Sequence, residues 1–201
     1  MPADRWRRDR LAAAACLLLT ATGCTTENRS GRPETNAASP APVQSGSQSP
    51  LLPPLPEDGQ RLSCADSVAT VAAPDDSYRV VAGAAAMSSE LLQPSASSDE
   101  AGPTRLFAKW GLHVRAGAAV EVQVASGWED RARIGWGAGA EPVTTVQVEA
   151  CPAAGSSSAW SVFTGGTWVA VPGCVPLTIR SQGREVVTRL SVGAVCEQSA
   201  S

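Results

Sequence analysis

VPLTIRSQGREVVTRLSV, residues 175–192, is the stretch that decides the fold. Val175, Leu177 and Ile179 share one side on the way out, and Val186, Thr188, Leu190 and Val192 share one side on the way back. A period of two is the mark of a strand with one dry face and one wet face. Ser181-Gln182-Gly183 between the two runs leaves room only for a tight reversal, and Gly183 supplies the left-handed backbone such a loop needs. The stretch reads as an antiparallel hairpin.

Working upstream, the same period recurs. In Leu106–Val114 (LFAKWGLHV), Leu106, Ala108, Trp110, Leu112 and Val114 point one way, and Phe107, Lys109, Gly111 and His113 the other. Val120, Val122 and Val124 alternate with Glu121 and Gln123, which places the valines inside and the polar pair outside. Ala132, Ile134 and Trp136 face away from Arg131 and Arg133, and Val146 and Val148 away from Gln147 and Glu149. Trp160–Phe163 and Thr167–Val171 read as a further strand pair turning at Gly165-Gly166. Seven or eight such strands at roughly ten-residue spacing predict an all-β domain, an antiparallel β-sandwich of Ig-like kind. Only the alanine-rich Val81–Leu92 leans toward helix.

Four cysteines fall in this region: Cys64, Cys151, Cys174 and Cys196. An even number in an exported chain reads as two disulfides, for which three connectivities exist. The expected pairs are Cys151–Cys174, clamping the hairpin of the 160s, and Cys64–Cys196, tying first strand to last. Their wide, irregular spacing does not suit a four-thiolate metal site, which uses close Cys-x-x-Cys pairs.

The first segment accounts for the export. Arg5, Arg7, Arg8 and Arg10 precede the apolar run Leu11–Ala21, which spans roughly 16 Å as a helix, half a bilayer core. It serves as the h-region of a signal and is too short to be a lasting span. Ala21-Thr22-Gly23-Cys24 then resembles the lipobox of bacterial lipoproteins. That resemblance implies cleavage after residue 23, a diacylglyceryl group on Cys24, and anchoring to the outer face of the cytoplasmic membrane. Residues 24–60, rich in Ser, Pro, Gly, Asn, Thr and Gln, bury too little apolar surface to fold and read as a disordered tether. Residues 61–201 form the domain. The whole chain of 201 residues carries a formal charge of −3. Losing residues 1–23 removes four arginines and two aspartates, so the mature charge is near −5. An acidic body has no electrostatic footprint for nucleic acid.

LFAKWGLHVRAG (Leu106–Gly117), IGWG (Ile134–Gly137) and WSVFTGGTWVAVPGCVPLTIR (Trp160–Arg180) resemble a group of uncharacterised actinobacterial secreted proteins and lipoproteins. The resemblance implies a compact C-terminal β domain in which Cys151 and Cys174 look like a regular pair. It implies no activity.

The side chains that carry chemistry are sparse. His113 is the only histidine and reads as a surface residue beside Lys109 and Arg115. One imidazole cannot build a blue-copper site or a three-ligand zinc site, and no G-x-S-x-G elbow presents a serine. No metal and no cofactor are expected. Glu121 and Glu149, both on outward faces, are the acids that a small enzyme would set across a groove. Arg180, Arg184 and Arg189 read as a basic strip on the last hairpin. Trp110, Trp136 and Trp160 read as core, whereas Trp128 and Trp168, beside turns, either fold over the sandwich edge to cap the core or stand exposed, able to stack on a sugar ring or anchor a protein. The resulting expectation is a non-catalytic envelope module that binds a wall polymer or an extracytoplasmic protein. A small enzyme and a structural spacer are the rivals, and the oligomeric state stays open.

Overall fold

The computed structural model describes residues 52–97, 103–153 and 159–197. The leader, the acylation expected at Cys24 and the tether as far as residue 51 lie outside the described residues. The strands in chain order are β1 (Gln60–Leu62), β2 (Ala69–Val71), β3 (Tyr78–Val81), β4 (Ala85–Ser88), β5 (Ser95–Ala96) and β6 (Leu106–Arg115). They continue as β7 (Val120–Val124), β8 (Ala132–Trp136), β9 (Thr145–Val148), β10 (Trp160–Val169), β11 (Gly173–Ser181) and β12 (Arg184–Val192).

Two sheets pack face to face. The first runs β1-β9-β7-β11-β12, antiparallel except for the parallel β1–β9 edge. The second is built on the long central pair β6–β10, with β4 and β3 beyond β6 and β2 beyond β10, while β5 pairs β6 and β8 pairs β10 further along. The core between them is made by the expected inward positions. Leu112, Val120, Val122, Ile134, Trp136, Val146, Leu177, Ile179 and Leu190 are all fully buried. Trp136 meets Trp110 edge-on at 4.9 Å and donates its indole N–H to the Trp110 carbonyl, while Trp110 donates to Thr167 Oγ1. Both indoles therefore bury their ring area and still satisfy their polar atom. The last hairpin turns at Gln182-Gly183, both at positive φ (51° and 73°), the mirror-image turn whose twist matches the flanking strands.

Three expectations are corrected. Val81–Leu92 contains the buried strand β4 and no helix. β4 is hydrogen-bonded to β3 and to β6, and its pairing inside a sheet overrides the helical propensity of alanine. Gly165-Gly166 is no turn, because β10 runs straight through it for ten residues. A methyl group at Gly165 would stand 2.1 Å from the Gly135 carbonyl oxygen, and one at Gly166 would stand 2.2 Å from that of Ala108. The glycines answer the close approach of neighbouring backbone on either side of β10. Finally, the disulfides are Cys64–Cys151 and Cys174–Cys196. With no hairpin in the 160s, nothing brings Cys174 to Cys151. Instead β9 exits beside β1, Glu149 N–H bonding Leu62 O, which sets Cys151 against Cys64. The β11–β12 hairpin sets Cys174 opposite Ser191, and the chain folds back after Gly193 to bring Cys196 to it.

Two disulfides in a β domain belong to an oxidising, extracytoplasmic compartment. Among the described residues no helix is long and apolar enough to cross a membrane.

Candidate functional site

The register of the first sheet places five side chains in one line across all five strands. Glu185 on β12 pairs with Arg180 on β11, Arg180 with Glu121 on β7, Glu121 with Gln147 on β9, and Gln147 with Arg61 on β1. All five lie on the face away from the core, and they bond along the row. Arg180 Nε donates to Glu185 Oε2 at 2.6 Å, and Arg180 Nη1 to Glu121 Oε1 at 2.5 Å and Gln123 Oε1 at 2.9 Å. Gln147 Nε2 donates to Glu121 Oε2 at 2.8 Å. The two carboxylates, Glu185 first, hold the Arg180 proton more tightly than usual.

This face is not left to water. Pro53, Pro54, Leu55 and Pro56 lie across it as a strap, held where Gln147 Nε2 donates to Pro53 O at 2.7 Å and Thr144 Oγ1 donates to Asp58 at 2.9 Å. The chain then turns, Gly59 N–H bonding Pro56 O, and enters β1. Residues 52–60, expected as the end of a disordered tether, are thus laid on the domain. Under the strap Glu121 is only 2 % exposed, although the alternation had put it outside in water. Beside the strap opens a cleft of about 660 Å³ whose walls are Pro53, Pro54 and Pro56 and whose floor is Glu121, Gln123, Thr145 and Arg180. Thr145 on that floor is only 1 % exposed, so the accessible polar groups there are those of Gln123 and Arg180. The site combines polar donors and acceptors, apolar proline walls and a near-cancelling charge.

No family model matches this chain, and neither a curated protein nor a solved structure does. The site is therefore read from its own geometry.

The residues singled out from the sequence fare differently. Trp168 is 7 % exposed, tilted against Phe107 at 4.6 Å, and its neighbours on β6 and β8 cover it on both flanks. It is a buried residue, the core-capping one of its two readings, and offers no exposed indole. Trp128 is half-buried against the core edge, with the Arg131 guanidinium 5.4 Å from its ring centre. Cys64, Cys151, Cys174 and Cys196 are all bonded as described above. Glu121 has both carboxylate oxygens engaged, while Glu149 is exposed just past the end of β9, so the two acids do not share an open groove. Arg180 faces the polar row and Arg184 the opposite side of the hairpin, so the three arginines form no strip.

His113 is buried, not on the surface, because Tyr78 stacks on it at 4.1 Å. Tyr78 lies in the trough left by Gly111, where a methyl group would stand 3.2 Å from its hydroxyl. Nδ1 of His113 has no partner. Burial pushes the imidazole below its usual pKa, against the opposing pull of the Asp75 carboxylate. Among the described residues no three His, Cys, Asp or Glu side chains gather to hold a metal ion.

The polar row was missed because each member, taken singly, reads as a solvated outward residue. The signal lay in the register: once β7, β9 and β11 are neighbours, Glu121, Gln147 and Arg180 fall in line.

Proposed function

We propose that this chain is an exported lipoprotein, acylated at Cys24 and held at the outer face of the cytoplasmic membrane, whose β domain works by binding and not by catalysis. The ordered tripartite leader ending in Ala-Thr-Gly-Cys supports the anchor, and the disulfides suit the compartment. The observation that carries the binding reading is the cleft of about 660 Å³ beside the strap, whose proline walls stand over the polar floor of Gln123 and Arg180. Such a floor takes an uncharged segment rich in hydrogen-bonding groups, either a wall polymer or an extended stretch of an envelope protein, and loses little to charge desolvation on doing so. The site proposed from sequence at Trp128 and Trp168 moves to this cleft.

Co-sedimentation of the oxidised mature chain, residues 24–201 carrying Cys24→Ser so that no acyl group binds lipid, with intact walls, protein-stripped walls and membranes tests the reading. Pelleting with stripped walls, weakened at least tenfold by Gln123→Ala and unchanged by Trp128→Ala, supports polymer binding in the cleft. Pelleting only where envelope proteins remain, with the same variant pattern, supports a protein ligand. Absence of pelleting in every fraction overturns the binding reading. Metabolic labelling with a fatty acid, lost in Cys24→Ser, tests the anchor.

A further inference from the structure

β12 closes one edge of the first sheet, and no described strand pairs with its far side. Alternate residues along it turn their backbone groups to that side. Leu92 N–H bonds Ser191 O and Gly193 N–H bonds Leu92 O, while Arg79 from β3 reaches the Arg189 carbonyl. The same alternation directs the N–H and C=O of Glu185 and Val187 into the open. The side chains there are unusual for an exposed edge. Val187 is 66 % exposed on the face away from the core, and its neighbour Val186, on the opposite face, is 38 % exposed. Natural edges are commonly blunted by charge, proline or a bulge; this one carries Glu185 and Arg189 but keeps regular strand geometry, with Val187 exposed between them.

The charges on either side of Val187 identify an occupant. Glu185 and Arg189 are both exposed, lie two residues before and two after Val187, and share its face of the sheet. When two copies of the strand are laid antiparallel about a two-fold axis through Val187, Val187 meets Val187, and each Glu185 meets an Arg189. Each Glu185, already bonded to Arg180 in its own chain, then gains the partner's Arg189 as a second cation, a self-complementarity that a strand of unrelated sequence would not share. The parity is correct as well. Val187 exchanges two N–H···O=C bonds with its counterpart, and Glu185 with the partner's Arg189 on either side. The Arg189 carbonyl has a second lone pair for this beside the Arg79 contact.

We propose that the open half of β12 pairs with the same strand of a second copy of this chain, joining two five-stranded sheets into one of ten strands. The two-fold axis stands perpendicular to the sheet, so both clefts and both proline straps emerge on one side. An edge contact of this size is small, and the dimer forms in the range of about 10–100 µM.

Sedimentation equilibrium of the oxidised mature chain, residues 24–201 carrying Cys24→Ser, which prevents association through the leader or acyl chains, reads the dimer directly. Glu185→Arg alone and Arg189→Glu alone each place like charges opposite one another and are expected to sediment as monomers. Mixed in equal amounts, the two variants restore the pairs and are expected to dimerise again, a gain that misfolding cannot produce. Val187→Pro removes an N–H that β11 does not use, so it is expected to keep the fold and abolish the dimer. Val187→Cys is expected to give a disulfide-linked dimer on oxidation, since hydrogen-bonded partners lie about 5.5 Å apart at Cα. A wild-type chain that stays monomeric through this range overturns the proposal, as does a dimer indifferent to these variants or a mixture that fails to restore it.

Discussion

Arg180 is the residue on which the outer face of the first sheet closes. Its guanidinium is one-third exposed, but Glu121 beneath it is not, so the pair is asymmetric. Removing the arginine strands a buried carboxylate, whereas removing the carboxylate leaves an arginine that water and Glu185 still serve. Arg180→Met is therefore expected to cost about 2–3 kcal/mol, and Glu121→Gln about 1 kcal/mol, since the amide keeps a bond to Gln147. The double variant should lose less than the sum, which urea unfolding of all four proteins measures. His113 gives a second prediction at this scale. Its folded pKa is depressed by burial under Tyr78, so the unfolded chain binds the proton more readily. Stability is then complete above the unfolded pKa near 6.5 and falls as pH drops through it, at up to about 1.4 kcal/mol per pH unit. His113→Phe, which keeps the stack and removes the titration, should flatten the decline in melting temperature between neutral and mildly acid pH.

Among the elements, β10 carries the tightest constraints. Gly165→Ala or Gly166→Ala drives a methyl group into backbone that cannot retreat, and each is expected to cost at least about 3 kcal/mol. Gly127→Ala, at positive φ with open space around it, should cost only about 1 kcal/mol. Thermal melts of the three variants separate steric from conformational cost. These glycines also mark how far the sequence could be read. β6, β7 and the β11–β12 hairpin were legible because Trp110, the valines of β7 and Leu177 alternate with polar partners, as half-buried strands do. β10 was not, because Gly-Gly is the same local signal whether it turns a chain or admits a neighbouring backbone, and only the neighbour decides. β4 was hidden for a related reason: Ala84, Ala85 and Ala86 take their conformation from the strands beside them. The cleft lay beyond local reading altogether, since Gln147 becomes an interior residue only when Pro53 lies upon it.

For the molecule as a whole, the two disulfides divide the labour unevenly. Cys64–Cys151 closes a span of 87 residues and Cys174–Cys196 one of 22. On the loop-entropy account they stabilise by about 4.5 and about 3.4 kcal/mol. Replacing Cys64 and Cys151 by alanine should therefore lower the denaturation midpoint more than replacing Cys174 and Cys196, and non-reducing peptide mapping should recover these pairs. The Pro53–Pro56 strap has a mechanical consequence. Among the described residues, tension passed along the chain from its N-terminal side enters at the strap, on the face of the sheet. It meets first the single bond from Gln147 to Pro53, next the bond from Thr144 to Asp58, and only afterwards the β1–β9 ladder, which Cys64–Cys151 backs covalently. Loaded in that order, the attachment gives way like a peeled strip and stops at a rivet, and its earliest yield uncovers Glu121 and Gln147 while both sheets remain whole.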